Sequence, residues 1–267
     1  MEKAYRLIKA FNYKLRQDDI STYASSIAFF LFLSLIPLLI LVCFLIPYTP
    51  LSESDLMKFC LNIIPKQMNA WSIGLISRIY DKPKGILSVT FLITIWSAGK
   101  GMLALMRALN QINEVMEKRG YLKLRLVASF YTVVVLMILV ATFVLGVFGK
   151  NILAWVMKSF SEQKTISGII SWGSYVVMNL LAVMVFGGIY TYVPNPKLCF
   201  KKQIPGAVFV AATWSVFTFG FSLYIEYFSG LTAYGTLGTI VLFLFWMYFC
   251  SYIILMGAVI NWFYDRN

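Results

Sequence analysis

Histidine is absent from this 267-residue chain. With it go the imidazole general base, the Ser-His-Asp and Cys-His relays and the commonest metal ligand. Charge is scarce too: 23 basic and 11 acidic side chains make up 13% of the sequence, where a soluble domain carries about a quarter. The four cysteines, Cys43, Cys60, Cys199 and Cys250, include no C-x-x-C pair, which removes zinc and thioredoxin-like readings and leaves free or buried thiols. Ala98-Gly99-Lys100-Gly101 looks like the tail of a phosphate loop, but no glycine precedes Gly99 at the required spacing and no Ser or Thr follows Lys100. No metal site and no cofactor is expected.

What fills the chain is apolar surface, 60% of residues with 17% aromatic. Six windows, 25–48, 86–109, 126–149, 169–193, 205–228 and 237–262, hold only three charges, Lys100, Arg107 and Glu226. Each is long enough for a helix rising 1.5 Å per residue to cross about 30 Å of hydrocarbon. The expectation is an all-α polytopic membrane protein, one six-helix domain over residues 1–267. The first window exceeds a signal-peptide core and lacks an A-x-A-like exit, so it reads as an uncleaved helix.

Lys and Arg set the orientation. The flanks 1–24, 110–125, 194–204 and 263–267 carry 13, and the alternate set 49–85, 150–168 and 229–236 carries 8, which puts both termini in the cytoplasm. Residues 1–20 form a basic amphipathic helix, with Ala4, Leu7, Ile8, Phe11 and Leu15 at helical spacing and Lys3, Arg6, Lys9, Lys14 and Arg16 elsewhere, suited to an anionic leaflet or to anchoring topology. Residues 49–85 repeat the pattern as an outside amphipathic hairpin broken at Pro65, a cap or a lid. Because the basic residues flank spans instead of forming a stripe interleaved with aromatics, nucleic acid is not an expected partner.

Several features concern packing. Ala207, Ala211 and Ser215 make a small-residue stripe that permits close helix approach. Asn179 and Asn261 read as interhelical hydrogen-bonding groups. Pro37 lies mid-span and is a candidate hinge. Pro194-Asn195-Pro196 ends the fourth span, Pro205 suits the first turn of the fifth, and Tyr234 to Gly238 suits a tight turn into the sixth.

Lys100 is the candidate functional centre, because 14 residues of helix place it roughly 21 Å into the membrane. A lysine there costs about 2.5 to 3.5 kcal/mol on insertion scales and calls for a partner or a wet cavity. Arg107 shares its face, which Asn110, Gln111 and Glu114 continue inward. Ser21, Thr22, Ser25 and Ser26 cluster at the start of the first span beside Asp18 and Asp19. If the two helices pack together, cations and hydroxyls converge on a pocket for an anionic headgroup. The structural alternative pairs Asp18 or Asp19 with Arg107 in an internal salt bridge. Glu226 reads as an interfacial carboxylate.

These residues also carry a likeness. Asp19-x-Ser21-Thr22-Tyr23-Ala24-Ser25-Ser26-Ile27-Ala28-Phe29-Phe30 with Leu33-Ser34-Leu35-Ile36-Pro37 resembles the opening signature of the YihY/virulence factor BrkB family. Trp96-Ser97-Ala98, Met106 to Asn110, Tyr192-x-Pro194-Asn195, Pro205-Gly206-Ala207, Tyr234-Gly235-x-Leu237-Gly238 and Gly257-Ala258 match further motifs in order. Two departures stand out: Lys100 takes an expected arginine's place, and Val259 that of a frequent glutamate. The resemblance implies a multi-pass protein of the bacterial cytoplasmic membrane linked to envelope integrity and to movement of lipids or other amphiphiles.

The family's older label, ribonuclease BN, conflicts with a chain that has no histidine and no acidic metal cluster, so a membrane nuclease is the weakest reading and no enzyme is expected. The leading expectation is a transporter or flippase-like handler of an anionic lipid or amphiphile. Its rival is a non-transporting scaffold or envelope-stress adaptor. Membrane lipid is the expected partner, with a homo-oligomer or partner protein left open.

Overall fold

The computed structural model describes residues 2–45, 54, 85–138, 166–195, 197–227 and 235–266. Among them the fold is all-α, with α1 Glu2–Gln17, α2 Ile20–Leu45, α3 Gly85–Ile112, α4 Tyr121–Ile138, α5 Ile166–Tyr192, α6 Phe200–Tyr227 and α7 Gly235–Arg266. The chain divides into two compact units, Met1–Phe29 with Gly99–Asn267, and Phe30–Ala98. The architecture and the site below belong to the first. The 49–85 hairpin, apart from Ser54 and from Gly85 at the start of α3, lies outside the described residues.

Among the described residues three helices are long and apolar enough to cross a membrane, Tyr121–Ile138, Phe200–Tyr227 and Ile240–Arg266, while Ile20–Ser34 and Val176–Tyr192 are shorter apolar stretches. Their outer faces carry large apolar groups without protein cover, such as Val216 at 72% and Phe219 at 67% exposure. In water such a surface favours aggregation; against lipid it is the ordinary exterior.

Helix ends follow local chemistry. Asp19 turns α1 into α2 with φ 49°, a left-handed conformation that short polar side chains tolerate. Its N–H bonds Arg16 O at 3.1 Å while its carbonyl accepts Tyr23 N–H at 3.1 Å. α3 ends in a Schellman turn: Glu114 N–H bonds Gln111 O at 3.0 Å, Val115 N–H bonds Asn110 O at 2.9 Å, and Glu114 itself has φ 57°. Glycine is the usual occupant of that position.

Two expectations about boundaries change, those for Pro205 and for Gly235 to Gly238. α6 begins at Phe200, so Pro205 lies inside it, where it withholds one backbone donor. Gly235 to Gly238 already belong to α7 and form no separate turn. α2 continues as helix through Pro37.

Packing in this unit is tightest where α6 crosses α7. A Cβ on Gly206 would overlap the Gly257 carbonyl, and one on Gly257 would run into Val210 and the Tyr190 hydroxyl. Ala207 and Ala211 are buried beside this crossing, while Ser215 is exposed and its hydroxyl bonds Ala211 O at 2.9 Å and Asn179 Oδ1 at 3.3 Å. Asn261 Oδ1 accepts Gly206 N–H at 2.6 Å, and Tyr190 donates to Ile254 O at 2.6 Å. An aromatic ladder extends the contact: Phe186 on α5 meets Trp214 on α6 at 5.7 Å, and Trp214 meets Trp246 on α7 edge-on at 6.1 Å. Each such pair contributes about 0.5 to 1.5 kcal/mol beyond area burial.

Candidate functional site

α3 is nearly enclosed along its last three turns. From Gly99 to Asn110 every residue is buried except Lys100 and Arg107. Met106, Ala108 and Leu109 are within 1% of complete burial, and Gly99 backs onto Ser129 of α4, where a Cβ would sit 2.9 Å from Oγ. Lys100, Arg107 and the exposed Gln111 fall on one line, because seven residues nearly complete two turns. The polar stripe is therefore the single open line of an otherwise covered helix segment. It is cationic and accessible.

Asn110 leaves that stripe. It is buried, and both ends of its amide are engaged: Nδ2 donates to Glu117 Oε2 at 2.9 Å and Oδ1 accepts Asn195 N–H at 2.9 Å. Arg119 clamps the same carboxylate, Nε at 2.8 Å from Oε1 and Nη2 at 2.7 Å from Oε2. These bonds, led by Arg119, pull the Glu117 carboxyl from its ordinary 4.5 down to about 2. The end of α3 and the Pro194-Asn195 corner after α5 are thereby joined.

The hydroxyls of α2 are partly spent within the protein. Ser21 Oγ shares a 2.9 Å hydrogen bond with Tyr248 Oη of α7, and Ser25 Oγ donates to Ser21 O at 2.9 Å. Thr22 is exposed and Ser26 half-buried. None of these hydroxyls bonds Arg107 among the described residues. Ser21 instead links α2 to α7.

The alternative ion pair between Asp18 or Asp19 and Arg107 is absent among the described residues. Asp18 meets Lys14, four residues earlier on the same helix, at 3.1 Å, with side chains only 2% and 4% exposed. The Lys14 ammonium also donates to Glu114 Oε1 at 2.9 Å, and Arg266 reaches Glu114 Oε2 at 2.6 Å. Both cations lie over the Trp262 ring, each 4.2 Å from its centroid. Burial raises the Asp18 carboxyl above its ordinary value, while the bonds from Lys14 and then Arg266 lower that of Glu114. Asp19 and Glu226 are exposed and form no ion pair among the described residues. The side chain of Pro37 lies outside those described.

α1 is consequently not a free surface helix. Phe11 packs on Phe263 with ring centroids 6.1 Å apart, and Lys14 is buried beside it, so the Phe11/Lys14/Asp18 line faces α7 and the end of α3. Tyr5, Ile8 and Tyr13 are exposed. Helical spacing alone assigns Lys14 to the basic face of α1 with Lys3, Arg6, Lys9 and Arg16. Its i, i+4 spacing to Asp18 and its place beside Phe11 were the available signals. The Asn195 and Trp262 contacts had no local signal.

Comparison with known proteins comes from the whole sequence. The family model described as Virulence factor BrkB matches residues 11–267. YfkH of Bacillus subtilis (strain 168), whose name calls it ribonuclease-like, is 32% identical over 247 residues, covering 89% of this chain and 87% of that protein. UPF0761 membrane proteins of Paraburkholderia xenovorans (strain LB400) and Psychrobacter sp. (strain PRwf-1) are 25% and 26% identical, covering 91% and 92% of this chain. This chain spans 56% and 46% of those two proteins' lengths. No solved structure matches it.

Proposed function

This chain belongs to the virulence factor BrkB family of membrane proteins, and from that premise we propose that it moves or presents an anionic lipid or similar amphiphile in the bacterial cytoplasmic membrane. The reading takes six spans and cytoplasmic termini from the hydropathy windows and basic flanks. One observation carries it: Lys100 and Arg107 are the only exposed residues on a covered stretch of α3. Cations exposed at membrane depth are favoured where an anion or water can reach them. A phosphate-bearing headgroup supplies that anion and leaves its tails in hydrocarbon. Gln111 and the exposed Thr22 add polar groups toward the same end of the helices. Cargo movement here would be ion-coupled, gradient-driven or partner-assisted, since no ATP-binding motif is present in the sequence.

Replacing Lys100 with Leu and Arg107 with Gln, then following fluorescent phosphatidylglycerol across reconstituted vesicles, tests the proposal. Movement falling to the protein-free rate is expected. Unchanged movement removes both residues from the function.

The second reading, a scaffold or stress adaptor, is favoured by the network of buried Asn110 with half-buried Glu117, Arg119 and Asn195, whose polar groups bond to one another. It requires no movement even for the unaltered chain. A nuclease is disfavoured by the absence of histidine from the whole sequence. Purified protein incubated with RNA and divalent metal tests that name, with no cleavage expected.

A further inference from the structure

Glu114 stands in a conformation that most residues avoid. Its φ of 57° occupies the glycine position of the turn that ends α3. For an L-residue that backbone costs about 1 to 2 kcal/mol, and such strain persists where surrounding contacts enforce it. Here the contacts are two cations. Lys14 donates to one carboxylate oxygen at 2.9 Å and Arg266 to the other at 2.6 Å. Both cations rest over Trp262 at 4.2 Å.

The charges balance only while Glu114 is in place. Lys14 and Arg266 face Asp18 and Glu114, and Asp18 is committed to Lys14 at 3.1 Å. Withdrawing Glu114 leaves the cradle with one net positive charge, a planar guanidinium and an ammonium set to grip a tetrahedral oxyanion. The cradle is open on its outer side, where Glu114 is 45% and Arg266 56% exposed, and closed at its base, where Lys14 is buried. Trp262 meets both cations with its ring face, so it holds them in place against the carboxylate.

We infer that Lys14 and Arg266, held over the Trp262 ring, form a second anion site, for a phosphate monoester or a phosphatidate headgroup, and that Glu114 is the chain's own occupant of it. An entering phosphate displaces the carboxylate, frees the strained turn and loosens α1 from the end of α3. The site uses none of Lys100, Arg107 or the α2 hydroxyls. It shares headgroup chemistry with the proposed function but stands on separate residues, so failure of the Lys100/Arg107 vesicle test leaves it intact.

The experiment titrates the full chain in detergent with short-chain phosphatidic acid, short-chain phosphatidylcholine and inorganic phosphate. Glu114→Gly suits the turn and removes the competing carboxylate; Glu114→Gln removes only the charge. If the cradle is vacant about a tenth of the time in the unaltered chain, either variant binds about tenfold more tightly. Tightening for phosphatidic acid alone identifies a lipid source, and tightening for inorganic phosphate as well identifies a soluble one. Adding Arg266→Gln to Glu114→Gly returns the affinity to its starting value. Equal tightening for phosphatidylcholine overturns the inference, as does no tightening in variants that keep the melting temperature. Should both variants fail to fold, hydrogen exchange on the unaltered chain decides: saturating phosphatidic acid or phosphate accelerates the amides of Glu114 and Val115, and unchanged exchange with both ligands overturns the displacement.

Discussion

Arg107 and Asn110 are three residues apart on α3, yet one reaches the surface while the other is buried with both ends of its amide engaged. The difference lies in what surrounds each. Asn110 looks toward the turn that follows α3 and the Asn195 corner, where backbone and carboxylate groups are close enough to satisfy it. Arg107 looks out along the open line with Lys100. Buried polar groups that satisfy one another specify how helix ends meet, whereas Lys100 and Arg107 lie exposed, where an outside anion can reach them.

Three experiments sharpen this contrast. The largest effect is expected from Lys14→Met, which strips Asp18 of its cation inside the protein and costs about 3 kcal/mol. A double variant with Asp18→Leu should recover at least half of that, and thermal unfolding in detergent measures both. If the single change is neutral, the buried pair is not stabilising.

Next comes Asn110→Leu. It leaves the Asn195 N–H and the Glu117 carboxylate short of a partner, with a loss of about 2 kcal/mol, while Arg107→Gln three residues away changes stability by less than about 0.5 kcal/mol. Equal losses would erase the distinction between closed and open polar groups.

The smallest effect concerns pH. Glu117 titrates lower in the folded chain than its ordinary 4.5, at about 2. Its contribution is therefore complete above about 4.5 and fades as the pH falls toward 2, since the unfolded chain takes up the proton first. For a partly exposed Arg–carboxylate pair this amounts to on the order of 1 kcal/mol. Glu117→Gln should flatten that acid limb of the unfolding curve, and an unchanged limb would assign it to other carboxylates.

Much of the fold could be read before any coordinates. Apolar windows located the helices because a lipid-facing helix must be apolar along its length, and the i, i+7 pair Lys100/Arg107 was visible as one face because helical geometry is local. Boundaries were less legible. α6 runs five residues ahead of its apolar window because Phe200, Lys201, Lys202 and Gln203 are adequate helix formers that hydropathy ignores. Asn110 was placed on the polar stripe by angle alone; its real neighbour, Asn195, lies 85 positions away.

By itself, then, the sequence determined the helical class, the membrane character and the cationic line on α3, since each depends on composition or on periodicity within a dozen residues. The tertiary structure alone decided that Asp18 takes Lys14 in place of Arg107 and that Glu114 is gripped by both chain ends. It also decided that Gly206 and Gly257 let two backbones touch. Those outcomes depend on which surfaces a helix finds opposite it, and partner choice among several cations within reach is settled by geometry that no local pattern encodes.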